Sequence, residues 1–301
     1  MGIKKKEIYR FDSDEIRILD PELSLDLQVK AKLPLIKESQ KLEPVHLKNG
    51  LRLQVIKSPK GHVIQAHFEK DGVFQGQWSL YYEGGGVKAK VHYLDGELHG
   101  PSYFYAQNGQ LLSKSWYIHG KKIGKVYQYY LNGELYSLQR FNEGKREGKQ
   151  EYFYENSVLK TLMFYKNGQQ EGITKLYYPN RQLKREIHFI NGRKMGPDRF
   201  WNTSGIMVEE CYFKEHIPHK HHRKWHPNGV LFEEKVFHDS PKLFDKGKWT
   251  LDGKVLYKGI YNAKDKSYQT TFYDAEGSET FSEIAHWDGK KLNVARESNE
   301  E

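Results

Sequence analysis

Residues 101–124 read PSYFYAQNGQLLSKSWYIHGKKIG, one copy of a unit that returns every 24 residues. Two short runs rich in aromatic and apolar residues flank Asn108-Gly109, a dipeptide typical of the turn in a β-hairpin. Neither run keeps the 3.6-residue period of an amphipathic helix. The unit therefore predicts a β-hairpin, and its return at fixed spacing predicts a tandem array.

Three positions define the repeat: a turn glycine, a first ring four residues before it, and a second ring eight residues after it. Aromatic residues are only 14% of the chain, so this recurrence is not accidental. Ser157 and Arg181 replace the turn glycine in two copies. The turn glycines are Gly85, Gly109, Gly133, Gly205, Gly229, Gly253 and Gly277. The first rings are Tyr81, Tyr105, Tyr129, Phe153, Tyr177, Trp201, Trp225, Trp249 and Tyr273, and the second rings are Tyr93, Tyr117, Phe141, Tyr165, Phe189, Phe213, Phe237 and Tyr261.

The phase of the side chains selects a turn of three residues, 107–109 in the sample. With that loop Tyr105 pairs with Leu111, and strict alternation puts Tyr117 on the same face. Loops of this length are commonly a type I turn followed by a left-handed glycine. The second connection, residues 119–124 in the sample, is expected to be longer, with two glycines where the backbone approaches closely.

These patterns predict an all-β fold, an elongated, twisted single antiparallel sheet of stacked 24-residue β-hairpin repeats. Isolated hairpins are marginal in water, so neighbouring repeats must pack together. About nine repeats fill residues 46–289, the terminal ones degraded. Residues 1–45 are expected to be a partly disordered N-terminal arm or cap, and residues 290–301 a disordered tail.

Three motifs, FYAQNGQL (104–111), YYLNGEL (129–135) and FYKNGQQEG (164–172), resemble the MORN repeat and more closely its bacterial variant group. Members of that group are often labelled antitoxin-like. The resemblance implies a sheet of stacked hairpins that acts mostly as a scaffold for protein contact, with membrane or phospholipid association proposed for some members. It carries no catalytic residues and implies no cofactor.

The net charge of +9 comes from 48 Lys and Arg against 39 Asp and Glu, spread along the repeats. It fits either a solvated surface or weak attraction to anionic lipid, nucleic acid or an acidic partner; we expect no specific nucleic-acid binding. We find no run of 18 apolar residues and no apolar segment behind Met1–Lys6, so we expect no membrane span and no cleaved signal. A cytoplasmic protein is predicted, with secretion outside the Sec route left open.

Chemistry-bearing motifs are absent from the sequence, so we predict that the chain is not an enzyme and holds no cofactor. Cys211 occupies an apolar repeat position and is expected to serve packing. The histidines at 216–222 leave three interpretations open: a metal site, an exposed basic loop, or a pH-sensitive contact. No neighbouring cysteine or carboxylate pair completes a ligand set. The candidate metal ligands are His216, His219, His221 and His222.

The residue after each first ring varies, which marks either a binding face or drift without selection. It is Tyr82, Tyr130, Tyr154 or Tyr178 in some repeats and Ala106, Asn202, His226 or Thr250 in others. Our main hypothesis is a scaffold that binds an unidentified protein through this face and the loop edges. The alternatives are an antitoxin-like or effector-type protein that binds a toxin or host partner, and peripheral association with anionic membrane lipids.

Overall fold

The computed structural model describes residues 9–12, 15–18, 34–36, 42–287 and 292–295. Strands dominate these residues, and the one helical segment among them is a single 3-10 turn, Lys48–Gly50. The all-β prediction is therefore confirmed. Most of the predicted arm (1–45) and tail (290–301) lies outside the described residues, so the predicted domain limits stay predictions.

The chain divides into two units, residues 1–169 and 170–301. The first contains β1 (Tyr9–Asp12), β2 (Glu15–Ile18), β3 (Val45–His46), β4 (Leu51–Lys57), β5 (Val63–Lys70), β6 (Val73–Tyr81), β7 (Val87–Leu94), β8 (Glu97–Leu98), β9 (Gly100–Tyr105), β10 (Leu111–Ile118), β11 (Lys121–Tyr129), β12 (Leu135–Asn142), β13 (Lys145–Arg146), β14 (Gly148–Phe153) and β15 (Leu159–Lys166). The short β16 (Gln169–Gln170) falls at the boundary. The second contains β17 (Gly172–Tyr177), β18 (Leu183–Ile190), β19 (Arg193–Trp201), β20 (Met207–Lys214), β21 (Ile217–Trp225), β22 (Leu231–Phe237), β23 (Phe244–Trp249), β24 (Val255–Asn262), β25 (Ser267–Tyr273), β26 (Glu279–Trp287) and β27 (Leu292–Ala295).

Each long strand pairs antiparallel with the next one along the chain. In the first unit the order of paired strands is β4, β5, β6, β7, β9, β10, β11, β12, β14 and β15. The two-residue strands β8 and β13 pair with β7 and β12 just before β9 and β14 begin. In the second unit it runs from β17 to β27. β1 and β2 form a separate two-stranded sheet.

The predicted three-residue turn is confirmed. The Ala106 N–H donates to the Gln110 carbonyl at 2.8 Å, and the Gly109 N–H donates to the Ala106 carbonyl at 2.9 Å. Gly109 has a φ of 85°, and Tyr105 pairs with Leu111. Ser157 and Arg181, the substitutes for glycine, adopt the same left-handed conformation with φ of 60° and 70°. The backbone of the turn therefore outweighs the preference of these two side chains.

The prediction that both rings of a repeat share one face is wrong. After Tyr105 and Leu111, the next pair is Phe104 with Ser113, so Leu112 is an unpaired bulge residue. A bulge shifts the alternation of all later side chains by one residue. Tyr117 consequently lies on the face opposite Tyr105.

The register places Tyr105, Tyr129 and Phe153 on one face of the first unit's sheet, because they belong to one connected set of cross-strand and alternate positions. We call this the first-ring face, and we use the same name for the face of the second unit that carries the same repeat positions, such as Trp201. The opposite side, which carries Tyr117 and its equivalents, is the second-ring face. The face prediction was thus right for the first rings alone.

The second connection is shorter than predicted. His119 and Gly120 both have positive φ, 45° and 73°, and Ile118 pairs directly with Lys121. Two residues of positive φ between paired strands are the mark of a type I′ turn. The Gly120 N–H donates to the Leu98 carbonyl of the preceding repeat at 2.8 Å. Each such turn is therefore hydrogen-bonded to its predecessor as well as closing its own hairpin.

The second glycine of this connection has a different task. Gly124, with a φ of 70°, lies directly opposite the second ring Phe141. Tyr117 faces Gly100 in the same way. A residue without a β-carbon leaves space beside the ring, and its positive φ begins the new strand. At Gly172, the same position opposite Phe189, a β-carbon would meet no atom within 4 Å, so the positive φ rather than a close approach favours glycine there.

The short segment 34–36 crosses the sheet of the first unit beside Gly76. The Gln77 N–H donates to the Pro34 carbonyl at 3.0 Å, and the Ile36 N–H donates to Gln77 Oε1 at 3.2 Å. A β-carbon on Gly76 would lie 2.4 Å from the Pro34 ring. The glycine therefore gives this segment its place on the sheet.

Candidate protein-contact surface

Five of the three-residue turns are flanked by a pair of side chains that touch on the second-ring face. One is the variable residue after the first ring, and the other is the bulge residue. Tyr130 and Tyr136 have ring centroids 5.2 Å apart, and His226 and Phe232 are 4.9 Å apart. In other repeats a lysine covers the ring, as Lys184 does with Tyr178 at 5.4 Å. We call these contacts the turn-edge pairs.

Several of the variable positions hold one hairpin to the next. The hydroxyl groups of Tyr82, Tyr130 and Tyr178 donate to the carbonyl oxygens of Tyr105, Phe153 and Trp201 at 2.8, 2.8 and 2.9 Å. His226 Nε2 lies 3.1 Å from the Trp249 carbonyl oxygen in the same position. Ala106 stands at the same position and has no side-chain donor, so the bridge is not made in every repeat. Some of the variable residues therefore join neighbouring hairpins, a structural role that the sequence hypothesis did not include.

Three rings in the described part of the first unit are exposed to solvent: Phe74, which packs against His67 and Tyr93, and two rings of later repeats. Phe104 is 43% exposed and Tyr136 is 37% exposed. Tyr136 packs edge-on against Tyr130 and, at 6.0 Å, against Tyr152. We call Phe104, Tyr130, Tyr136 and Tyr152 the aromatic patch. Four strand spacings, about 19 Å, separate Phe104 from Tyr152 along the cross-strand row that joins them.

The polar residues between these rings are satisfied by one another. The Ser137 hydroxyl donates to Gln128 Oε1 at 2.7 Å, and the Gln139 side-chain amide donates to the same oxygen at 3.0 Å. Ser137 has no solvent exposure. A partner that covers Ser137, Gln128 and Gln139 therefore leaves these three side chains hydrogen-bonded, and the rings supply the contact.

Trp201, Trp225 and Trp249 of the second unit are half-buried on the first-ring face. Trp249 folds back over Gly247, where a β-carbon would come within 2.4 Å of the indole. Trp201 and Trp225 pair with Met207 and Leu231 across their turns. These contacts indicate that the three rings pack against their own hairpins.

A charge ladder crosses the first-ring face of the second unit. Its members are direct cross-strand neighbours of alternating sign. Glu210 is central: its carboxylate accepts from Arg199 Nε at 2.7 Å and lies 3.0 Å from His221 Nε2. Burial raises the pKa of Glu210, but the hydrogen bonds from Arg199 and His221 outweigh it and hold that pKa below its usual value. The ladder consists of Lys175, Glu186, Arg199, Glu210, Arg223 and Glu234.

The four candidate histidines do not converge. His221 belongs to the charge ladder's face and packs on Tyr212, whereas His222 lies on the opposite face with its Nε2 2.7 Å from Glu209. His216 sits in the type I′ turn with a φ of 70°, and His219 is exposed. Among the described residues no group of three or more His, Cys, Asp or Glu side chains is arranged to bind a metal ion.

Cys211 lies between Asp198 and His222 on the second-ring face and is 8% exposed. Burial, with the neighbouring acidic groups, raises the pKa of its thiol to about 11. A thiol with so high a pKa is protonated near neutrality and is a poor nucleophile. This environment matches the packing role expected from the repeat position.

Stacked hairpins with a shared turn geometry define a class of repeat protein, and the family comparison agrees. Four segments, residues 74–95, 98–118, 146–167 and 170–191, match the family described as "MORN repeat variant". The chain therefore contains MORN-type repeats in both of its units. Repeats of this kind commonly mediate interactions with proteins or membranes.

Other comparisons add little. No curated protein matches the chain. A chain of the solved complex titled "Crystal Structure of TcdB2-TccC3-Cdc42" aligns with 78% of this chain and 15% of its own length, at 10% identity and a TM-score of 0.17. This chain thus spans a small part of that protein, and a likeness so low carries no argument. Over the described residues, no helix has the length and hydropathy needed to cross a bilayer.

Proposed function

We propose that the chain is a non-enzymatic scaffold that binds a protein partner through the aromatic patch of its first unit. The observation that carries this proposal is the pair of exposed rings, Phe104 and Tyr136, on a face where Ser137, Gln128 and Gln139 already bond to one another. Tyrosine and phenylalanine are enriched at protein interfaces, where rigid rings add contact area at little entropic cost. The repeat family supports the same class of role.

A protein surface fits the patch better than a lipid headgroup layer. Tyr136 is held edge-on between Tyr130 and Tyr152, so the rings present a fixed shape. Fixed shape favours a complementary apolar surface, with the central ring as its main anchor. The partner we propose therefore offers apolar side chains that pack around Tyr136 and Phe104.

The test compares two double variants of the full chain in affinity capture from the source cell. Phe104→Ser/Tyr136→Ser removes the exposed rings, and Ile56→Ser/Val73→Ser removes two equally exposed apolar residues elsewhere in the first unit. A captured protein should disappear with the first variant and remain with the second. Its binding to the purified chain should then weaken by more than about tenfold in calorimetry when the rings are removed.

Retention of the same proteins by both variants would contradict the proposal. Binding of anionic vesicles that depends on the same two rings, with no protein captured, would replace it with membrane association.

A further inference from the structure

We infer that the second-ring face of the second unit holds a binding site for an acidic peptide segment, centred on Lys235, Lys246 and Lys248. This site is separate from the aromatic patch and does not depend on the proposed scaffold contact. We call these three residues the lysine patch. They lie on the neighbouring strands β22 and β23.

The charges of the lysine patch are unbalanced. Lys235 and Lys246 are direct cross-strand partners, an arrangement that places like charges side by side. Glu233 faces Lys248 across the strands and lies 3.5 Å from Lys235, and among the described residues it is the one acidic group paired with this patch. Across the sheet, by contrast, each basic group of the charge ladder is paired with an acidic one. The excess positive charge is therefore a local feature of this face.

The lysines are held in place by aromatic rings. The Lys246 Nζ is 5.2 Å from the centroids of both Tyr257 and Tyr268, and Lys235 Nζ is 5.0 Å from that of Phe244. Gly259 makes room for Lys246, because a β-carbon there would lie 2.9 Å from the lysine stem. Lys248 Nζ lies 4.9 Å from Phe232. Ring contacts of this kind fix an ammonium group without neutralising it.

The occupant is an extended acidic segment, for two reasons. The ring faces beside the lysines are already covered by ammonium groups, so nucleobases have no free ring to stack on. Lys246 and Lys248 are alternate residues of one strand and so lie about 6.7 Å apart on the same face, the spacing of alternate side chains in any extended peptide. A segment with Glu or Asp at every second residue therefore places one carboxylate opposite each of these two lysines.

The experiment measures fluorescence anisotropy of a labelled ten-residue peptide of alternating glutamate and threonine against the full chain. Lys235→Gln/Lys246→Gln should weaken binding by at least about tenfold. The control Lys258→Gln/Lys264→Gln removes the same charge from the opposite face and an exposed loop and should change it by less than about twofold. The affinity of the unaltered chain should fall as salt rises.

Equal loss in both double variants would overturn the site in favour of diffuse attraction by net charge. So would equal binding of the matching glutamine–threonine peptide, or binding of oligothymidylate or phosphatidylserine vesicles in its place. Circular dichroism checks that each variant is folded. Should Lys235→Gln/Lys246→Gln unfold the sheet, Lys248→Gln alone replaces it, with an expected loss of about threefold, and an unchanged affinity in that variant would overturn the site equally.

Discussion

The two units use the same repeat positions with different chemistry. At the middle of the first-ring face, the first unit places mostly rings and aliphatic side chains, whereas the second unit places alternating charges. The cross-strand rows are Tyr103, Lys114, Tyr127, Leu138, Glu151 and Leu162 in the first unit, and Lys175, Glu186, Arg199, Glu210, Arg223 and Glu234 in the second.

This difference shows which positions the fold constrains. Turn residues such as Gly109 must adopt a left-handed backbone, so this position recurs in both units, and a glycine lies opposite most of the second rings, such as Tyr117 and Phe213. A mid-strand residue needs only a suitable cross-strand neighbour, which a ring beside an aliphatic chain or an acid beside a base provides equally well. Mid-strand positions are consequently free to differ between units.

The largest expected effect comes from the interior of the first unit. Trp116 is 1% exposed, so Trp116→Ala should lower the free energy of unfolding by about 3–5 kcal/mol through lost burial and a cavity. Tyr212 occupies the same repeat position in the second unit but is half-buried, so Tyr212→Ala should cost about 1–2 kcal/mol. Urea denaturation followed by circular dichroism measures both, and equal losses would mean that the units do not differ in this way.

An intermediate effect is expected from the centre of the charge ladder. Glu210→Gln keeps the shape but removes the charge that Arg199 and His221 share, so it should cost about 1–2 kcal/mol. In a double-mutant cycle, Arg199→Gln should cost less in the Glu210→Gln background than in the unaltered chain. Strict additivity of the two substitutions would show that the pair is not coupled.

A gain of stability is expected at a turn. Arg181 holds a φ of 70° that disfavours any residue with a β-carbon, so Arg181→Gly should raise the free energy of unfolding by about 1 kcal/mol. The reverse change, Gly229→Ala, meets no neighbouring atom but has a φ of 86°, and it should lose about the same amount. Thermal denaturation of the two variants should therefore give shifts of opposite sign.

The smallest expected effect is a difference between the two units in how their stability depends on pH. Burial lowers the pKa of His67 and His99 in the first unit from the usual 6.5, so the stability they contribute is complete above pH 6.5 and is lost as pH falls through their lower folded values. In the second unit, hydrogen bonds outweigh burial and lower the pKa values of Asp198 and Glu210 from 3.8 and 4.5, so that loss begins only below those values. Hydrogen exchange measured between pH 7 and 4 should show the first unit loosening first, and the opposite order would refute the assignment.

Local signals predicted much of the fold. The apolar phase around Asn108-Gly109 predicted the three-residue turn and the pairing of Tyr105 with Leu111, because both depend on residues close together in the chain. Asp95-Gly96 and Asn191-Gly192 carried an equally local signal for a two-residue type I′ turn. The prediction of a longer second connection overlooked that signal. Leu112 gave no such signal, since an apolar residue in a strand and an apolar bulge residue look alike in sequence.

The candidate site was less predictable. His221 and His222 are adjacent in a strand and must face opposite sides, so recognising β21 would have argued against a shared metal site. The exposure of Phe104 and Tyr136 had no counterpart in the repeat pattern. Tyr82 and Tyr130 looked like free surface residues, yet their hydroxyl groups bond to the next hairpin.

The amino-acid sequence by itself determined the repeat length, the hairpins and the positions of the turns. It does so because glycine conformations and turn preferences act over a few neighbouring residues. The tertiary structure alone decided which face each second ring occupies and which variable side chains stay exposed. The face of each second ring depends on a bulge in the paired strand. The exposure of the variable side chains depends on contacts with the next hairpin, such as the hydrogen bond from Tyr130 to the carbonyl oxygen of Phe153.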